Sequence, residues 1–209
     1  DAAESLGSSF HGYHTGGLGL LGAVSFNGNK IITTGGGGAI LTNHAKLADQ
    51  AKHLTTTAKQ PHRWEYRHNE LGFNYRMPNL NAAIGLAQLE CLPDFIERKR
   101  NLANSYAEAF TNLEGVGVVL EPKGSRSNYW LIALLLARGR EFELEAVLEV
   151  TNREGLMTRP AWEPMHHLPM YRDCPRMDLS VAESLVRRLV SIPSGANLAC
   201  NVTFTKGDS

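Results

Sequence analysis

An α/β chain in two parts is the fold class that this sequence predicts, and three observations predict it. Residues 23–26 (Ala-Val-Ser-Phe) and 39–42 alternate as short strands around the turn signal Asn27-Gly28-Asn29, and a helical pattern follows them. Apolar residues recur at helical spacing from Asn79 onward. Beyond residue 115, strand and helix patterns alternate in a way that suits a small α+β unit.

Taken in order, residues 7–22 are rich in Gly, Ser and His and read as loop. After the second strand, Asn43 is placed to cap a helix in which Leu47, Ala48, Ala51 and Leu54 share a face. Residues 55–78 are polar, aromatic and basic, and a long irregular stretch of that kind usually serves function. A helix from Asn79 carries Ala82, Ala83, Leu86, Leu89 and Leu92 on one face. Pro93 should interrupt it, with a second helix over about 94–113, so a domain boundary is expected there: 1–92 and 93–209. Strands are expected over 116–120, 130–136 and near 157–159, and helices over 141–154 and 181–188, the last capped by Ser180. The tail from Ala196 is unpatterned and expected to be loosely held.

Composition narrows the function classes. Of the 209 residues 43% are hydrophobic and 20% charged, with 21 basic side chains balancing 21 acidic ones. No basic field is present to attract nucleic acid, and the longest apolar run, 129–137, is too short to span a bilayer. Cys91, Cys174 and Cys200 are odd in number and far apart, which fits neither a disulfide framework nor a paired zinc site. A cytoplasmic enzyme without a metal is the expectation. The opening Asp1-Ala2-Ala3-Glu4 reads as a strand end running into a turn, which suggests a fragment lacking its N-terminal part.

The chemistry-bearing stretch is Ser25-Phe-Asn-Gly-Asn-Lys30. A strand delivers a hydroxyl, a tight turn follows, and a lysine comes directly after it. Lysine amines become nucleophilic when desolvation or a neighbouring cation lowers their pKa, as in Schiff-base lysines. From the residues alone, a surface-turn lysine is the favoured reading. The four glycines 35–38 lack the ending of a phosphate-binding P-loop, and Lys30 precedes them, so that reading is rejected. His11 and His14, set among glycines, read as solvated loop.

Three blocks change the weighing: Asp1-Ala2-Ala3-Glu4, then Ser25 through Gly38, then Gly72-Phe-Asn74-Tyr-Arg76-Met77. With Asn128-Tyr129-Trp130, Arg159-Pro160 and His166-His167-Leu168-Pro169, they resemble the DegT/DnrJ/EryC1/StrS sugar aminotransferases over nearly the whole chain. The resemblance implies a pyridoxal 5'-phosphate (PLP) enzyme. Its fold would be part of a PLP-transferase large domain, with a mixed, mainly parallel sheet, followed by a small α+β C-terminal domain. Lys30 would join PLP covalently and shuttle the substrate proton. Asp1 would pair with the pyridine nitrogen, and Ser25 would bind the phosphate. Glu4 stands where the family commonly has glutamine, near the cofactor's ring hydroxyl. Asn74 would reach the cofactor phosphate of a neighbouring subunit, which implies a homodimer with shared active sites. Arg76 would contact a substrate phosphate or serve as a structural ion pair, and His166 would line the substrate pocket or cap it. Gly36 stands where many relatives carry an acidic residue.

The substrates implied are an amino acid, with glutamate as donor, and a keto sugar linked to a nucleotide, in surface-polysaccharide or nonulosonic-acid biosynthesis. Two other readings stand beside it. One is a PLP-fold sugar dehydratase, disfavoured because those relatives replace the lysine with histidine. The other is a catalytically inactive or regulatory homologue or fragment, since the family's N-terminal part supplies further cofactor contacts.

Overall fold

The structure, a computed structural model, describes residues 1–200. In chain order its elements are β1 (Ser9–Phe10), β2 (Tyr13–His14), β3 (Gly22–Ser25), β4 (Gly38–Leu41), α1 (Ala45–Thr55), α2 (Asn79–Phe110), β5 (Val116–Val118), β6 (Ser125–Arg126), β7 (Ile132–Leu136), α3 (Leu144–Arg153), β8 (Arg159–Pro160), α4 (Ser180–Val186) and β9 (Leu189–Ile192). Short 3-10 turns fill several of the gaps between them. The chain divides into two units: residues 1–96 with 122–130, and 97–121 with everything from Leu131.

In the first unit β3 and β4 pair antiparallel, Ser25 opposite Gly38. The chain has the mixed α/β make-up expected for part of a PLP-transferase domain, and every strand ladder among the described residues is antiparallel. A parallel pair needs a crossover, usually a helix, whereas residues 26–37 form a helix-free loop that simply reverses the chain. Residues 7–22, expected to be loop, contain the hairpin β1–β2. Its turn residues His11 and Gly12 both have positive φ (47° and 83°), the requirement of a tight two-residue hairpin. The hairpin extends by β1 pairing with β6, which draws residues 122–130 into the first unit although the sequence reading assigned them to the second domain.

Helix α1 begins one residue later than expected, with His44 rather than Asn43 at the N-cap. The helix from Asn79 does not stop at Pro93 but runs unbroken to Phe110. Proline in a helix interior costs about 3 kcal/mol. Ile96, Leu102 and Ala103, all buried just beyond it, offset that cost, each large apolar side chain by roughly 1.5–3 kcal/mol.

In the first turns of α2, over residues 79–90, the face that packs is not the apolar one. Leu86 and Leu89 are exposed, while Gly85 is buried against Thr34. Asn81 donates to the Thr34 carbonyl at 2.6 Å, and Gln88 both accepts from Thr33 N (3.0 Å) and donates to Thr33 O (2.8 Å). The loop after β3 has backbone groups without ladder partners, and these amides satisfy them. Loop and helix are thereby locked together.

The second unit is built on the antiparallel sheet β5-β7-β9-β8. Ile132, Leu134, Leu136, Val190 and Ile192 are buried in it. Strand β9 was missed in the sequence, where Val190 to Ile192 followed an expected helix without a turn signal. The helix expected over 141–154 is a 3-10 turn at Glu141–Glu143 followed by α3. Ser180 is the first residue of α4 rather than its cap, and its backbone and hydroxyl both donate to Asp178. From Ala196, where a loose tail was expected, a 3-10 turn extends to Cys200, and the rest of that tail lies outside the described residues. Among the described residues no helix is long and apolar enough to cross a membrane.

Candidate active site

The site is assembled at the end of β3. Ser25 closes the strand, and its Oγ accepts from the backbone N–H of Asn27 at 3.3 Å. That leaves the hydroxyl hydrogen free to donate outward. The Asn-Gly signal then makes the turn it promises: Lys30 N donates to Asn27 O at 3.0 Å. The turn returns to the sheet through Thr34 N to Phe26 O (3.0 Å) and Phe26 N to Gly37 O (2.9 Å). Lys30 therefore projects from a turn fastened on both sides.

The Lys30 side chain is only 11% exposed. Its amine forms an ion pair with Glu4 Oε1 and lies 4.4 Å from the centre of the Trp130 ring. Glu4 reaches it because Ala2 N donates to Ala23 O at 2.9 Å, which ties the N-terminal residues to β3. The same bond sets Asp1 beside that strand. One carboxylate oxygen of Asp1 accepts from Ala3 N at 2.9 Å, and the side chain is exposed. Asp1, Glu4, Ser25 and Lys30 thus all sit on, or are tethered to, a single strand and its turn.

The other residues singled out in the sequence stand apart from this group. Asn74 and Arg76 are exposed in the stretch after α1, where Asn74 bridges Thr56. Neither bonds to Lys30, Glu4, Ser25 or Asp1 among the described residues. His166 lies in the second unit, its Nε2 2.9 Å from Glu183 Oε1, and it lines a cavity of about 420 Å³ with Met165, Tyr171, Cys174 and Leu179. With His167 and Glu183 it forms a group whose ligating atoms lie within 4.8 Å of one another. Both histidines are already engaged by carboxylates, His167 with Glu163 at 2.6 Å. Cys91 and Cys174 are free and exposed.

Two contributors were not picked out from the sequence as site residues. Trp130 and Asn128 stand in the sequence only within the Asn128-Tyr129-Trp130 block, yet the first faces the amine and the second anchors Glu4. Asn128 Nδ2 donates to the carbonyls of Glu4 (2.8 Å) and Leu6 (3.0 Å). The signal available was the polar Ser125-Arg126-Ser127-Asn128 run before a strand, which marks a turn but not its target.

The donor set suits a phosphate-bearing aldehyde: a shielded primary amine, a carboxylate in contact with it, a hydroxyl with a free hydrogen and a second carboxylate tethered beside the same strand. The model of the DegT/DnrJ/EryC1/StrS aminotransferase family matches residues 1–202. This chain belongs to that family. The DegT/DnrJ/EryC1/StrS relatives include GDP-perosamine synthase of Escherichia coli O157:H7, 39% identical over 202 residues, covering 95% of this chain and 53% of that protein. EpsN of Bacillus subtilis (strain 168), provisionally named a pyridoxal phosphate-dependent aminotransferase, is 38% identical over 202 residues, with 95% and 51% covered. Among solved structures, Helicobacter pylori PseC, an aminotransferase involved in the biosynthesis of pseudaminic acid, superposes with a TM-score of 0.88 at 25% identity, covering 95% of this chain and 54% of that one. The chain therefore spans about half the length of the family members it matches.

Proposed function

We propose that this chain is part of a PLP-dependent aminotransferase that transfers an amino group from an amino acid, glutamate in the first instance, to a keto carbon of a nucleotide-linked deoxysugar. The observation that carries the reading is the Lys30 amine, shielded at the turn that closes β3 and held between the Glu4 carboxylate and the Trp130 ring. Family membership supports the reaction class. The names of the relatives, a GDP-perosamine synthase and UDP-linked amino-sugar transaminases among them, support a nucleotide-sugar substrate and a role in surface-polysaccharide or nonulosonic-acid biosynthesis.

In this reading Lys30 holds PLP, Ser25 donates its free hydroxyl hydrogen to the phosphate, and Asp1 presents a carboxylate to the ring nitrogen. When bound, PLP supplies the electron sink that makes the substrate C–H bond beside nitrogen acidic. Lys30 Nζ would hold and move the substrate proton, and the Glu4 carboxylate beside it would be suited to hold the amine's own proton. An Asp1 carboxylate opposite the ring nitrogen favours the protonated ring by charge. Glu4, in place of the family's usual glutamine, keeps an acceptor near the ring hydroxyl and adds a negative charge to the site.

A second copy of the chain completes the proposal. Leu80, Ile84, Leu86 and Leu89 are apolar side chains left exposed on α2, and Asn74 lies exposed just before that helix. Exposed apolar side chains gathered on one helix are commonly covered by another chain. Arg76 and His166 are each proposed, separately, as substrate residues.

The test uses the natural full-length protein with added PLP. A visible absorption band should appear, glutamate should bleach it, and Lys30→Ala should abolish it. A band that survives Lys30→Ala would overturn the assignment.

A further inference from the structure

We infer that Trp130 is a positioning residue for the Lys30 amine, and that Asn128 sets both Trp130 and Glu4 in place. The inference deepens the proposed reading and rests on it for its functional meaning, but its geometry stands independently.

Asn128 is almost fully buried. Both ends of its side chain are engaged: Nδ2 donates to the carbonyls of Glu4 and Leu6, while Oδ1 accepts from the backbone N–H of Trp130 at 2.9 Å. Its own backbone N–H donates to Ser8 Oγ at 2.9 Å. The chain doubles back at Tyr129, a buried non-glycine residue with φ of 46°. Left-handed backbone at such a residue costs on the order of 1 kcal/mol and persists only where surroundings impose it. Here it brings the Trp130 amide onto the Asn128 side chain and turns the indole toward the Lys30 turn.

The indole is fixed at its other end as well. Trp130 Nε1 donates to the carbonyl of Asn29 at 2.7 Å, the residue immediately before Lys30. Ring and amine are therefore tied to consecutive residues of one turn, with the amine 4.4 Å from the ring centre. A lysine side chain has four rotatable bonds, and fixing them costs up to roughly 2 kcal/mol of entropy. The ring and the Glu4 carboxylate are the two contacts that fix it here. Glu4 is 47% exposed at its side chain and can swing into solvent. Trp130, pinned at its backbone and its ring nitrogen, cannot. Any partner that bonds to the amine displaces the carboxylate, and the ring face then keeps the amine aimed.

The experiment is competitive acylation of the lysines with an N-hydroxysuccinimide ester, read by peptide mass spectrometry on the protein without cofactor. Exposed Lys46 serves as the internal reference. Trp130→Leu should raise labelling of Lys30 relative to Lys46 about fivefold, equivalent to ~1 kcal/mol of cation–π contact. Trp130→Phe, which keeps a ring face, should stay within about twofold of the parent. Trp130→Met fills the position without an aromatic face and replaces the leucine variant should that one unfold. With PLP added to the full-length protein, the non-aromatic variants should show a displaced band maximum and the phenylalanine variant the parent's. Equal labelling in all variants would overturn the inference even if the band forms normally. Absence of any band in the parent would overturn the cofactor reading while leaving the labelling result intact.

Discussion

Two lysines in the described chain escape exposure, and they lie in different units. Lys99, on α2, is 5% exposed and donates to the backbone carbonyl of Ser194. Burial lowers its pKa to about 8. Ser194 in turn accepts from Ile132 N at 2.8 Å, so the amine braces the end of the β7–β9 ladder. Lys30 faces a carboxylate on a partly exposed side chain and an aromatic ring. A perturbed lysine is often taken as the mark of a functional site. Here the strongly perturbed amine acts as a bracket, because it holds a backbone carbonyl that cannot leave. The amine proposed to hold the cofactor is the one whose carboxylate partner can be exchanged.

The comparison is broken most directly through Asn128. If the first unit's site is held as firmly as the second unit's core, Asn128→Asp should be costly. It removes the donor to two carbonyls and places a carboxylate where almost no solvent reaches. The expected loss is about 3 kcal/mol, read as a lower urea midpoint at neutral pH. An unchanged midpoint would mean that the Glu4 and Trp130 segments hold themselves, and that Asn128 is no anchor.

Lys99 sharpens the other side. Its folded-state pKa, about 8, lies below the ordinary value of 10.5. Below pH 8 the amine is charged in both states, and the folded state bears the desolvation penalty. Between about 8 and 10.5 the unfolded chain binds more protons, so stability rises with pH across that window. Relative to Lys99→Met, which has no proton to lose, the parent should gain on the order of 2 kcal/mol from pH 8 to 10.5. Denaturant midpoints of both proteins at several pH values give the slope, and parallel slopes would show that Lys99 is solvated.

What could be read in the sequence follows how local its cause is. The turn at residues 27–30 and strands β3 and β4 were legible, because an Asn-Gly signal and short alternation need only their neighbours. The hairpin at His11-Gly12 was not, since His-Gly is not one of the strong hairpin pairs and the turn is fixed from outside by His11 N donating to Gly124 O at 2.8 Å. The packed face of α2 was misread because the sequence shows which residues are apolar, not that a distant loop needs the amides of Asn81 and Gln88. Lys30 was legible as a candidate. That Glu4 would reach its amine, and that Trp130 would lie beneath it, depends on contacts 26 and about 100 residues apart, which no local pattern encodes.

The smallest effect lies at the start of α1, where local rules were applied and missed by one residue. His44 holds the cap position with extended backbone (φ −102°, ψ 106°), and its side chain makes no capping bond. The first turn contains no acidic residue. Its carbonyl already accepts the first helical bond, from Ala48 N at 3.0 Å, so the backbone is set for a cap that the imidazole does not supply. Asp at this position can accept from the free N–H groups of the first turn and places negative charge at the positive end of the helix dipole. His44→Asp should therefore stabilise the first unit by about 0.5–1 kcal/mol, seen as a rise of roughly 2–4 °C in Tm. The gain should shrink in high salt, where the dipole contribution is screened and only the hydrogen bond remains. Should Asn43→Asp raise Tm and His44→Asp leave it unchanged, the helix would start where the sequence pattern first placed it.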